Sequence, residues 1–127
     1  MMLRRSLAAA LAGLAVGLVA PAAAEAKSAF CSPTGDFCFS ARRVGGRVTL
    51  QLDTFSFRGR VRTCVRPPAG SPEACRAFRL RHRGNGLFGF RARWSAHFPN
   101  PGPGTYRVRF SYQGTRLGSP VTFAVSG

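Results

Sequence analysis

At 127 residues the chain has room for one domain and not two. Eighteen arginines and a single lysine, Lys27, stand against four acidic residues, a net charge of +15. So large an excess draws anionic polymers or surfaces and strains the compact state through self-repulsion, while leaving few carboxylates for acid–base or metal chemistry.

Arg4 and Arg5 precede an apolar run at 7–20, and Ala22-Ala23-Ala24 or Ala24-Glu25-Ala26 offers small residues at a cleavage site. This is the pattern of a secretory signal, so residues 1–26 are expected to be removed and 27–127 to form the mature domain, outside the cell or associated with its envelope. The run is rich in Ala and Gly and closed by Pro21, a poor match to a membrane span, and no later stretch qualifies. Cys31 follows Ser28-Ala29-Phe30, which does not resemble a lipid-attachment site. Removing Arg4, Arg5 and Glu25 leaves 17 basic residues against 3 acidic ones, a net charge of +14. The lack of isoleucine and the dominance of Arg over Lys fit the codon bias of a GC-rich genome, which does not explain why acids are scarce.

Four cysteines in a short exported chain imply a disulfide framework. Proximity pairs Cys31 with Cys38 and Cys64 with Cys75, and closing loops this short stabilises by about 2.5–3 kcal/mol each on the chain-entropy model. Their spacings do not match the closely paired thiols of structural zinc sites.

Residues 37–44 alternate, with Phe39 and Ala41 on one face. Gly45-Gly46 turns the chain into residues 47–55, where Val48, Leu50 and Leu52 alternate with Thr49, Gln51 and Asp53. Pairing outward from a two-residue turn sets Ala41 against Leu50 and Phe39 against Leu52, so the apolar faces coincide. A third strand over 58–65 and a fourth over 75–82 flank a loop rich in Pro and Gly. A Cys64–Cys75 bond across that pair places Val61 by Phe78 inside, and Arg60 by Arg79 and Arg58 by Arg81 outside. Like charges held opposite one another are unfavourable, which points to something negative bound there.

Gly84-Asn85-Gly86 turns into a fifth strand, 87–98, with Phe88, Phe90, Ala92 and Trp94 inward; a three-residue loop sets Leu80 by Phe90. Which sheet this strand joins stays open. Asn100-Pro101-Gly102-Pro103-Gly104 breaks the chain and is expected to cross between sheets. Beyond it, Tyr106, Val108, Phe110 and Tyr112 point inward and Arg107 and Arg109 outward. A turn at Gln113-Gly114 pairs Phe110 with Leu117 and Tyr106 with Val121, and Pro120 implies an edge or a bulge. No helix of any length is expected.

Gly104-Thr105-Tyr106-Arg107-Val108 resembles the penultimate strand of immunoglobulin-like domains, where a tyrosine stands two residues before an inward core position. The resemblance implies an antiparallel sandwich of about seven strands, with the Tyr106 hydroxyl bonded to backbone just upstream. From Cys31 onward the chain also resembles uncharacterised secreted immunoglobulin-like proteins of GC-rich bacteria, a likeness that implies no activity. Two departures stand out: no cysteine links the sheets, and Trp94 falls in the fifth strand rather than the third.

Asp36, Asp53, Glu73, His82 and His97 are scattered, and no nucleophile motif or cofactor-binding motif occurs. A small phosphodiester hydrolase, which would set a general base and acid about a phosphate, is therefore the alternative to a non-catalytic module; a purely structural extracellular domain is another. No metal site is expected, and nothing fixes the oligomeric state. Six of the phenylalanines fall on inward faces, while Phe55, Phe57 and Phe98 are unassigned. The remaining cluster is Arg58, Arg60, Arg62, Arg79, Arg81 and Arg91, which share one outer face if the fifth strand adjoins the fourth. Arg107 and Arg109 join it if their strand lies in the same sheet. Guanidinium forks bind phosphate, sulfate and carboxylate through paired hydrogen bonds, so the expected partner is an anionic polymer or envelope surface.

Overall fold

The computed structural model describes residues 27–127; the expected signal segment lies outside the described residues. Two antiparallel sheets pack face to face as an all-β sandwich. The strands are β1 (Ala29–Cys31), β2 (Phe37–Val44), β3 (Arg47–Thr54), β4 (Arg60–Arg66), β5 (Ala74–Arg79), β6 (Arg81–Gly84) and β7 (Leu87–Arg93), then, after one helical turn α1 (Trp94–His97), β8 (Gly104–Tyr112) and β9 (Thr115–Val125). One sheet runs β1-β2-β3-β7-β6 and the other β5-β4-β8-β9.

The β2–β3 hairpin has the expected register, Ala41 opposite Leu50 and Phe39 opposite Leu52, and Gly45 and Gly46 both adopt positive φ in its turn. Inward residues of both sheets then form one core, in which Phe39, Leu50, Leu52, Val61, Tyr106, Val108, Phe110 and Val121 are almost wholly buried. Phe39 and Phe110, from opposite sheets, bring ring centroids to 4.5 Å. Phe98 belongs to the core, Phe57 packs against it and Phe55 is exposed.

Both expected disulfides are present, Cys31–Cys38 across β1 and β2 and Cys64–Cys75 across β4 and β5. Each joins residues directly opposite one another, so each clamps a sheet-edge strand to its neighbour. Among the described residues no helix is long and apolar enough to cross a membrane.

Four expectations need correction. The stretch 75–82 is not one strand: β5 pairs with β4, β6 with β7, and the chain changes sheet at the buried Leu80, whose N–H donates to the Gly59 carbonyl at 2.7 Å. The fifth strand, whose sheet the sequence leaves open, accordingly lies with β6 in the other sheet, between β3 and β6. It ends at Arg93, where α1 takes over and buries Trp94; the extended Phe98 closes the turn, donating its N–H to the Trp94 carbonyl at 2.9 Å, and is buried too. In the last hairpin Phe110 does face Leu117, but a bulge shifts the register so that Tyr106 faces Phe123 and Val108 faces Val121. Pro120 sits on this edge strand, close to the shift.

The β6–β7 turn reaches the expected alignment by another route. Gly84 faces Leu87 across a two-residue turn, and one extra residue at Arg83 restores His82 opposite Phe88 and Arg81 opposite Gly89. The Tyr106 hydroxyl donates to the Gly102 carbonyl at 2.6 Å, with Asn100 Oδ1 at 3.1 Å, tying β8 to the crossover loop before it.

Candidate anion-binding face

Side chains along a strand alternate between faces, so once Val61, Thr63 and Val65 are buried the outward positions of β4 fall to Arg60, Arg62, Cys64 and Arg66. The neighbouring strands extend this row. Arg79 of β5 stands directly opposite Arg60, Arg107 of β8 opposite Arg66, and Arg109 of β8 opposite Cys64. Arg116 of β9 is opposite Ser111, which is opposite Arg62. Two pairs of arginines thus face one another across the ladder, a placement that costs stability where a neutral side chain would not.

One acid serves this face. Glu73, just before β5, accepts from Arg109 at 2.8 Å and 2.9 Å through Nη2 and at 3.3 Å through Nε. Its carboxylate lies beside the Cys64–Cys75 bond, within 4.8 Å of the sulfurs. Those sulfurs are bonded to each other, so the group offers a metal one carboxylate and no thiolate. Arg66, Arg107, Arg109, Arg116, Glu73 and Pro120 line a shallow groove of about 410 Å³. At the far end of β4 a second groove of about 430 Å³ is lined by Arg58, Gly59, Arg60, Arg79, Leu80 and Phe88.

The six arginines grouped from sequence therefore divide. Arg60, Arg62 and Arg79 share the outer face of the four-stranded sheet, and the Arg60–Arg79 opposition is as expected. Arg81 and Arg91 lie in the other sheet because the chain changes sheet at Leu80. Arg58 precedes β4 and has no register partner; its guanidinium carbon sits 3.8 Å from the Phe88 ring centroid, and its Nη1 donates to the Phe57 carbonyl at 2.8 Å. In place of the expected Arg58–Arg81 opposition stands Arg66–Arg107. Arg66 and Arg116 were missed: Arg66 abuts a Pro-Pro loop that hides its place as the last residue of β4, and Arg116 follows a turn whose outward neighbours look neutral. The condition set for Arg107 and Arg109 is met, since β8 lies beside β4.

Of the scattered acid–base candidates, Asp53 is held by Arg91 and Glu73 by Arg109. His82 packs edge-on to Phe88 and His97 edge-on to Phe78. No imidazole–carboxylate hydrogen bond occurs among the described residues. Comparison of the chain with family models, curated proteins and solved structures returned no match.

Proposed function

We propose that this is an exported, non-catalytic binding module whose four-stranded sheet presents an arginine face to an anionic polymer of the cell envelope or its surroundings. The observation that carries this reading is the pair of head-on arginine oppositions, Arg60–Arg79 and Arg66–Arg107, on one face. Opposed cations weaken the free protein, and a bridging anion converts that cost into affinity. The Glu73–Arg109 contact supports the same reading, because it displays a carboxylate seated on a guanidinium of this face through paired hydrogen bonds. Export accords with two disulfides and with the secretory pattern of the first 26 residues. The sandwich is read as immunoglobulin-like: β2-β3-β7-β6 matches the order A-B-E-D of such domains, β9-β8-β4-β5 matches G-F-C-C′, and the Tyr106 hydroxyl bond stands where those domains keep their corner tyrosine.

The test is salt-dependent binding of anionic polymers by the wild type and two double variants. Arg66→Ser with Arg107→Ser is expected to weaken binding about tenfold or more and to flatten its salt dependence. Arg42→Ser with Arg83→Ser, on exposed positions of the other sheet, removes the same charge and is expected to do much less. Equal losses in the two variants would overturn the face as a site.

A further inference from the structure

Resting on that reading, we infer that the ligand is a single extended phosphodiester chain without bases, of the polyol-phosphate kind, lying along β4 with its phosphates in step with the strand's outward positions. The argument begins with pitch. Outward residues of a strand recur every two residues, about 6.7 Å apart. At successive outward levels of β4 the face offers Arg60 with Arg79, then Arg62, then Arg109 beside Cys64, then Arg66 with Arg107. Arginine is thus available at every step over about 20 Å.

Two residues of polypeptide contain the same number of backbone bonds as one repeat of a glycerol-phosphate chain or of a nucleic-acid strand, counted from one phosphorus to the next. Both chains, when extended, can therefore set one phosphate against each arginine level. Polyphosphate matches the levels less well, because its neighbouring phosphorus atoms share an oxygen and crowd more than one phosphate into each step, leaving part of its charge without an arginine. Polygalacturonate carries one carboxylate on every sugar, so its charges follow the rigid sugar ring and not the repeat that matches two residues of a strand.

What separates the two phosphodiester sources is the absence of a stacking platform. Proteins that hold single-stranded nucleic acid lay successive bases on exposed aromatic rings. On this face the register places Ala77, Ser111, Thr105 and Thr122 among the arginines, while Phe78, Phe110 and Tyr112 belong to the core side. Between its two end grooves the face reads charge and spacing and has no ring to read a base; Phe88, in the groove with Arg60 and Arg79, is already covered by the Arg58 guanidinium. The grooves at the two ends of the row, with Arg66 and Arg107 in one and Arg60 and Arg79 in the other, fit the chain's terminal contacts.

Glu73 sets the limit of this site. Its carboxylate already occupies Arg109, so the third level is filled by the protein's own anion and three levels remain for ligand phosphate. Binding of glycerol-phosphate oligomers of increasing length to the disulfide-bonded protein is the experiment, alongside oligothymidylate, polyphosphate and polygalacturonate of matched charge. Affinity should climb steeply until the oligomer spans the row, at about four phosphates, and only weakly beyond. The logarithmic salt slope should approach three phosphates at roughly 0.7 each. Glu73→Gln should tighten binding and steepen that slope by roughly 0.7, since it frees Arg109. Arg62→Ser should flatten it by the same amount. Equal affinity for polyphosphate or polygalacturonate would overturn the spacing argument while leaving a general anion face. Tighter binding of oligothymidylate would overturn the base-free ligand, and unchanged or weaker binding by Glu73→Gln would overturn the masked level.

Discussion

The two outer faces of the sandwich are both rich in arginine, yet they place it differently. On the five-stranded sheet the outward arginines that have a register partner face neutral residues: Arg42 and Arg93 both face Thr49, Arg47 faces Val44, Arg91 faces Gln51 and Arg81 faces Gly89. There Asp53 reaches across Gly89 to grip Arg91 with two hydrogen bonds of 3.0 Å, and Gln51 donates to the same carboxylate at 3.1 Å. The four-stranded sheet instead opposes Arg60 to Arg79 and Arg66 to Arg107. Codon bias can enrich arginine everywhere, but it has no reason to stack cations head-on in one sheet and to separate them in the other. That contrast, more than net charge, sets one face apart as the candidate site.

Each face also carries its own disulfide, and removing them one at a time gives the largest expected separation. Cys64→Ala with Cys75→Ala should cost about 2.8 kcal/mol and Cys31→Ala with Cys38→Ala about 2.5 kcal/mol, following the loop lengths. The stability losses are nearly equal, whereas the binding losses should not be. Cys75 holds β5, and with it Arg79 and the approach of Glu73, so only the first variant should also disturb salt-sensitive polymer binding. Chemical denaturation and a binding titration on both variants decide this; equal binding losses would mean that neither face is distinct.

Gly89→Ala acts on the opposite side. A Cβ at this position would run into the Leu52 carbonyl and the Asp53 carboxylate, and the carbonyl belongs to a fixed strand. Overpacking of this kind costs about 1–3 kcal/mol, a fall of about 4–8 °C in melting temperature per kcal/mol for a domain of this size. The Asp53–Arg91 pair should open as well, leaving Arg91 free on its face. If position, rather than the number of free arginines, makes the site, polymer affinity should stay within about twofold at a temperature where the variant is folded. A clear gain in affinity would show that any unpaired arginine serves.

Much of this contrast was legible in the sequence, and what was not has a single cause. Period-two alternation tells which side of a strand meets the core, so Phe39, Leu50, Val61, Val108 and Phe110 were placed correctly, as was the Arg60–Arg79 opposition. It is silent about which sheet a strand joins, because both sheets of a sandwich share one core. Residues 75–82 keep their alternation straight through the change of sheet at Leu80, and Arg81 and Arg91 were misplaced for that reason. A slip of two residues also preserves every facing, which is how the shift that sets Tyr106 against Phe123 escaped notice. Trp94 is inward in the expected strand and buried in the observed α1 alike, so its facing hid the change from strand to helical turn. Arg66–Arg107 needed the β4–β8 alignment, which no local turn dictates.

The smallest effect is also the one that most directly separates strain from accident. Replacing Arg60 and Arg79 by serine removes one of the opposed pairs, both members of which are exposed, so little packing is lost. Without ligand, relief of the repulsion should raise stability by about 0.2–1 kcal/mol at low ionic strength, and the gain should shrink as salt screens the charges. The matching change on the five-stranded sheet, Arg42→Ser with Arg93→Ser, removes two arginines that both face Thr49 rather than each other, and should leave stability nearly unchanged at any salt. Thermal melts of the two variants across a range of salt measure the difference. In the presence of a bound phosphodiester the order should invert, because Arg60 and Arg79 then hold an anion whose binding stabilises the folded protein, and the serine variant loses that contribution. A gain that persists unchanged with ligand present would mean that the opposed pair never meets it, and the bound chain would have to be confined to the Arg66–Arg107 end.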